Sequence, residues 1–158
     1  MKVLLDTSVI VAAIIEAHPR HEESLLWLQK VKNNEIEGVI SSHTSIELYC
    51  VLTSLPLSPR ISPALAWQLI RENIFKSFEL ITYTKNDQIS LLQRLVENQI
   101  TGGASYDGLI AYAPTIGKSV YSFINKFSPP ELFILTKNLV FERKVKNCKI
   151  KFLPVYYL

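Results

Sequence analysis

The start of the chain contains a short apolar run that leads directly into an apolar helical pattern. Residues 2–5 are predicted to form a buried β-strand, and residues 9–16 continue as a helix. Asp6 lies at the junction between the two. Ligands of open α/β sheets bind beyond the carboxyl ends of the strands, where a carboxylate can hold a divalent cation through its oxygens. Asp6 can also simply cap the helix, as aspartate often does, and the first sixteen residues leave both interpretations open.

Strand and helix patterns alternate along the rest of the chain. We predict further strands at residues 39–40, 78–82, 131–136 and 149–155, and helices at residues 21–32, 44–55, 62–75, 84–98 and 105–113. This order predicts a three-layer α/β/α sandwich with a mainly parallel central sheet. With 158 residues, the chain suits a single domain over residues 1–158. The helical period at residues 44–55 predicts that Ile46, Tyr49, Cys50 and Leu52 face inward.

Composition excludes several classes of protein. Hydrophobic residues make up 48% of the chain, which favours a folded domain over disorder. No apolar stretch is long enough to span a bilayer, and the first residues lack the pattern of a signal peptide, so we expect no membrane partner. Cys50 and Cys148 are too few and too far apart for a disulfide framework or a zinc site. We therefore expect reduced thiols and a cytoplasmic protein.

The net charge of +3 is small, but the basic residues are concentrated near the C-terminus. Between Lys118 and Lys151 there are eight lysines and arginines and only two acids, Glu131 and Glu142. Such a field favours a polyanion such as RNA, with Arg143, Lys144 and Lys146 as candidate phosphate contacts. A lysine-rich edge strand, on which the lysines prevent pairing between sheets, explains the same residues equally well.

Three acids occupy equivalent places at the starts of predicted helices: Asp6, Glu47 and Asp107. Each has a structural explanation, since Thr44 and Glu47 fit a capping box and Asp107 would complement a helix dipole. If the acids instead meet at one edge of a parallel sheet, their mutual repulsion requires a divalent ion or protonation. A cation there would activate water and neutralise charge on a phosphodiester. The motifs Gly-x-Ser-x-Gly and Gly-x-x-x-x-Gly-Lys are absent.

In combination these segments resemble the PIN-domain family, and within it the VapC-type toxins of bacterial toxin–antitoxin pairs. The matching pieces occur in the family's order and are Leu5-Asp6-Thr7-Ser8, His18-Pro-Arg-His21, Thr44-Ser-Ile-Glu47-Leu48, residues 103–111 and Thr136-Lys-Asn138. The resemblance implies a PIN-like α/β/α fold and an endoribonuclease that depends on Mg²⁺ or Mn²⁺.

The resemblance also assigns residues and partners. It implies that Asp6, Glu47 and Asp107 are the catalytic, metal-binding acids, that Ser8 supports the first of them, and that Thr136 and Asn138 shape the edge of the site. It further implies an RNA substrate, a homodimer, and a small cognate antitoxin whose tail enters the active groove.

The sequence departs from the family pattern at one position. A fourth acid is expected shortly after Asn138, but Val140 stands in its place, and Glu142 is the nearest carboxylate. Glu142 can replace the missing acid only if this segment shifts. The alternative to a toxin-type endoribonuclease is therefore a catalytically weakened PIN-like module that binds RNA or a protein partner. A phosphotransfer enzyme with Asp6 as nucleophile is disfavoured, because Ser8 stands where such enzymes carry a second aspartate.

Overall fold

A six-stranded sheet organises the part of the chain that this computed structural model describes, namely residues 2–102, 105, 131–136, 141–145 and 148–154. Its strands are β1 (Lys2–Leu5), β2 (Glu37–Ser41), β3 (Phe78–Ile81), β4 (Glu131–Thr136), β5 (Phe141–Val145) and β6 (Cys148–Pro154). They lie in the order β3-β2-β1-β4-β6-β5. All neighbouring strands pair in parallel except β5 and β6, which are antiparallel. The predicted α/β fold with a mainly parallel sheet is confirmed, whereas a single domain over residues 1–158 stays a prediction.

Four of the five helices of the described residues begin at a side chain that caps them, and the second, which follows Arg20, has no such cap. The five are α1 (Thr7–Ile14), α2 (His21–Lys32), α3 (Ser42–Ser54), α4 (Pro63–Ile70), which continues as a π-helical turn over Arg71–Phe75, and α5 (Lys85–Glu97). The side chains of Asp6, Ser41, Ser62 and Thr84 accept hydrogen bonds from the first turns of α1, α3, α4 and α5. The helix predicted at residues 105–113 lies outside the described residues, apart from Ser105.

The predicted inward face of α3 is correct for Leu52 and wrong for the other three residues. Ile46 is 67% exposed, and Tyr49 and Cys50 are also exposed, whereas Leu48 and Leu52 are fully buried. Leu52 fits two stripes that both satisfy the helical period, and the stripe that contains Leu48 faces the core. Because α3 lies against both α1 and α4, docking selects between the stripes, and the sequence alone contains no signal for that choice.

One close approach fixes the distance between α2 and the sheet. Gly38 is the second residue of β2, and a Cβ atom there would be 2.4 Å from Val31 Cγ1 and 2.7 Å from ring carbons of Phe78. Val31 and Phe78 are both buried in the main core cluster. Only glycine therefore lets Val31 of α2 and Phe78 of β3 pack this closely against β2. This strand ends at the capping residue Ser41.

The last strands of the sheet contain part of the basic C-terminal region. Residues 141–145, which were not predicted to be a strand, form the antiparallel edge strand β5. The part of the interpretation that places an edge strand in this region is therefore confirmed, and phosphate binding there stays a prediction. Within the described residues, no helix is both long and apolar enough to cross a membrane.

Candidate active site

Asp6 caps a helix and also lies where a ligand-binding carboxylate is expected. It follows β1 at the carboxyl edge of the sheet and is the N-cap of α1, where its Oδ1 accepts a hydrogen bond from the Thr7 backbone N–H at 2.7 Å. Its Oδ2 accepts a second hydrogen bond from the Ser8 hydroxyl, also at 2.7 Å. An ionised carboxylate offers about four acceptor positions, so neither of these two bonds in itself excludes a cation. Capping is thus real, and it does not compete with metal binding.

Glu47 is brought to this junction by a contact that was not predicted. The Thr7 hydroxyl donates to Glu47 Oε2 at 2.6 Å, across forty positions of sequence. Thr7 is only 4% exposed. A single residue therefore donates its backbone N–H to Asp6 and its hydroxyl to Glu47. The sequence signals this double contact only by a hydroxyl residue directly after Asp6. The partner of that hydroxyl depends on how α3 packs against α1.

The capping box predicted for Thr44 and Glu47 is wrong. The cap of α3 is Ser41, whose hydroxyl accepts from the Thr44 backbone N–H at 3.0 Å and pairs with the Thr44 hydroxyl at 2.8 Å. Because α3 starts earlier than expected, Glu47 lies beyond the capping position. Its carboxylate is consequently free of that duty and turns toward Thr7.

Strand register brings two further chain segments to the same edge. Leu4 pairs with Val39 and Leu5 with Leu135, so Ser41 and Thr136, at the ends of β2 and β4, lie level with Asp6. The backbone of Thr136 therefore lies beside Asp6 at the carboxyl edge of the sheet, which agrees with its predicted place at the border of the site. Asp107, Asn138 and Lys146 fall outside the described residues.

A tyrosine whose hydroxyl is buried lies beside the described part of this edge. Tyr83 follows β3, and its hydroxyl is buried without a hydrogen-bond partner among the described residues, although it lies beside the Ser41 side chain. Burial raises the pKa of Tyr83 to about 12; Ser41 lowers it slightly and the charge of Asp87 raises it further. The phenol is therefore neutral at physiological pH and cannot serve as a base there.

The residues proposed from the basic region lie away from this edge. Glu142 belongs to β5, is 53% exposed and forms an ion pair with Lys149 at 2.8 Å. Two strands, β6 and β4, separate β5 from β1. The structure therefore brings Glu142 to Lys149 and not to Asp6, because the antiparallel pairing of β5 holds it in the middle of an outer strand. Arg143 and Lys144 lie on the same strand.

The donor set at the Asp6 junction fits a hard divalent cation. Asp6 and Glu47 supply carboxylate oxygens, both side chains are partly exposed, and hydroxyl and backbone donors hold them. Mg²⁺ takes one or two direct carboxylates and keeps several waters, so two acids suffice to begin such a site. Among the described residues, no group of three His, Cys, Asp or Glu side chains is placed to hold a metal, and the third predicted acid, Asp107, lies outside them.

Known proteins share both the sequence pattern and the fold. A family model described as "PIN domain" matches residues 3–112, a segment that includes Asp6, Glu47 and Asp107. Ribonuclease VapC27 of Mycobacterium tuberculosis is 32% identical over 109 residues, which cover 69% of this chain and 74% of that protein. Ribonuclease VapC40 of the same species is 32% identical over 108 residues, 68% of this chain and 74% of that protein.

Two solved structures are similar in fold. VapBC2 from Rickettsia felis, bound to a DNA fragment from its promoter, aligns over 87% of this chain and 89% of its own, with 20% identity and a TM-score of 0.54. VapC20 of Mycobacterium tuberculosis, a toxin that cleaves the sarcin–ricin loop, aligns over 82% of this chain and 86% of its own, with 12% identity and a TM-score of 0.52.

Proposed function

This chain belongs to the PIN-domain family and is an endoribonuclease of the toxin type, and we propose that Asp6 and Glu47 form the core of its active site. The observation that supports this site is the double contact of Thr7, which ties the two carboxylates together at the carboxyl edge of the sheet. That edge is where α/β folds place their ligands. Neither contact caps α3, since the Ser41 hydroxyl already does so.

We propose that Asp6 and Glu47 hold Mg²⁺ or Mn²⁺ together with Asp107, and that Ser8 fixes Asp6 for this purpose. When bound, such an ion lowers the pKa of water and neutralises charge that develops on a phosphodiester oxygen. The chain's own residues contribute a fixed array of oxygens, because the Ser8 hydroxyl and the Thr7 N–H hold both oxygens of Asp6. Thr136 and Asn138 would border the substrate at the β4 side of the edge.

The proposed partners follow from the relatives. The relatives are ribonucleases, so RNA is the proposed substrate. One structural neighbour is a VapBC assembly, and we propose a small antitoxin as the partner of this chain. The homodimer and the cytoplasmic location stay predictions. Exposed apolar side chains on α3 and α4, including Ile46, Leu65 and Trp67, offer a surface for association.

RNA cleavage with and without divalent metal tests the site. The wild-type protein is expected to cleave RNA with Mg²⁺ or Mn²⁺ and to stop when EDTA is added. Asp6→Asn and Glu47→Gln are each expected to lower the cleavage rate by about 100-fold or more, since each removes a charge from the metal site.

Asp87→Asn is the matched control. Asp87 is the carboxylate of a capping box at the start of α5, where it accepts from the backbone N–H of Thr84 at 2.8 Å. The substitution therefore removes a carboxylate from another helix start and leaves the Asp6 junction intact, so cleavage should continue. If wild-type protein binds RNA but cleaves none with either metal, the weakened PIN-like module is the correct interpretation.

A further inference from the structure

We propose that Thr7 is a positioning residue that holds Glu47 in place for the divalent cation. The inference rests on the proposed function, because it requires an ion at Asp6 and Glu47. It goes further by assigning a role to a residue that is neither an acid nor a metal ligand, and by predicting that the two acids act as one unit.

The geometry gives Thr7 little freedom. It is the first residue of α1, 4% exposed, and its backbone is fixed by the hydrogen bond from its N–H to Asp6 Oδ1. A β-branched side chain has few allowed χ1 rotamers in such a setting. The Thr7 hydroxyl, which donates to Glu47 Oε2 at 2.6 Å, therefore has a nearly fixed position relative to Asp6.

Glu47 would otherwise be the less constrained of the two described acids. Asp6 has a short side chain with both oxygens held, whereas glutamate has one more rotatable bond and extends from a different element, α3. Two nearby carboxylates also repel each other when no cation is bound. The Thr7 donors oppose that separation, since one residue offers a hydrogen to each acid. An ion that enters the site then meets ligands that are already arranged, which strengthens its binding.

The competing explanation is that Thr7 is an ordinary buried threonine whose hydroxyl only stabilises the fold. Thr44 is a suitable comparison, because it is also fully buried and its hydroxyl pairs with that of Ser41 at 2.8 Å rather than with a carboxylate. Thr7→Val and Thr44→Val make the same chemical change. A purely structural role predicts similar effects from both.

Isothermal titration calorimetry of Mn²⁺ binding to the RNA-free protein distinguishes these explanations, because it measures the affinity for the ion directly. Thr7→Val is expected to weaken Mn²⁺ binding by about 10–100-fold, the usual effect of removing a partner that orients a metal ligand. Thr7→Ser, which keeps the hydroxyl, is expected to restore most of the affinity. Thr44→Val is expected to bind Mn²⁺ like the wild-type protein. If Thr7→Val does not fold, Thr7→Ala provides the same loss of the hydroxyl in a smaller side chain.

A double-mutant cycle tests whether Thr7 acts through Glu47. In the Glu47→Ala background, Thr7→Val should cause no further loss of Mn²⁺ affinity, because the group it positions is gone. Independent, multiplicative losses would overturn the inference, and so would wild-type affinity in Thr7→Val alone. In either case the proposed function stands if Asp6→Asn abolishes Mn²⁺ binding. A wild-type protein that neither binds Mn²⁺ nor cleaves RNA would overturn both.

Discussion

Two substitutions at Asp6 separate helix capping from metal binding, because asparagine keeps one duty and alanine keeps neither. Asp6 accepts hydrogen bonds from the Thr7 N–H and the Ser8 hydroxyl, each at 2.7 Å. In Asp6→Asn the amide oxygen can accept from Thr7, while the amide nitrogen donates to the Ser8 hydroxyl, which can also act as an acceptor. Both contacts survive, but the negative charge is lost.

The expected magnitudes follow from these contacts. Asparagine and aspartate are nearly equal as N-caps, so Asp6→Asn should change the free energy of unfolding by less than about 0.5 kcal/mol. Asp6→Ala removes the cap and should lower it by about 1 kcal/mol. For a chain of this size, 1 kcal/mol corresponds to a shift in Tm of about 2–4 °C.

Thermal unfolding followed by circular dichroism, in EDTA and in excess Mn²⁺, measures both duties at once. In EDTA the asparagine variant should unfold with the wild type and the alanine variant a few degrees lower. Mn²⁺ at 100 times its Kd should stabilise the wild type by about 2.7 kcal/mol. Both variants should lose that stabilisation.

Two results would refute this reasoning. If the asparagine variant keeps the full Mn²⁺ stabilisation and cleaves RNA at the wild-type rate, Asp6 is only a helix cap. If it is destabilised in EDTA as much as the alanine variant, the exchange of hydrogen bonds with Ser8 does not occur.

Two further predictions concern the fold around the site. Gly38→Ala should lower the free energy of unfolding by about 1–3 kcal/mol in urea titrations, since its Cβ would lie 2.4 Å from Val31 and 2.7 Å from the Phe78 ring. The double variant with Val31→Ala should lose less stability than the sum of the two single losses. Additive losses would contradict the contact. The pKa of Tyr83 is raised to about 12, above that of an unfolded chain, so the folded state keeps this proton where the unfolded state loses it. Stability should therefore fall between about pH 10 and pH 12 by roughly 2–3 kcal/mol. Tyr83→Phe should make that decline shallower, and an unchanged pH profile would show that the phenol does not titrate as described.

Patterns local in sequence predicted much of the fold. The helix at residues 21–32 has the bounds of α2 because its apolar period and its flanking residues agree. The expectation that Asp6 and Glu47 lie near one edge of the sheet came from the rule that parallel strands present their carboxyl ends together, and the structure shows that both side chains accept hydrogen bonds from Thr7.

Features that depend on docking were not predictable. Both stripes of α3 have a helical period, and only its packing against α1 and α4 shows that Leu48 faces inward and Ile46 does not. The strand Phe141–Val145 is short and mostly charged, so it lacks the apolar pattern of a buried strand. The hydroxyl of Thr7 has a partner forty residues away, and no local rule reveals such a contact.

The central position of β1 has a consequence for when this edge of the molecule is completed. Leu5 pairs with Leu135 of β4, although 130 positions separate them in the chain. At about 5–20 residues per second, a ribosome needs roughly 7–26 seconds between making one and making the other. During that interval β1 can pair with β2, its nearer partner in sequence, and Thr7 can reach Glu47. The strand β4 is made later than β2, so a nascent chain carries the two acids together well before β4 can pair with the other side of β1.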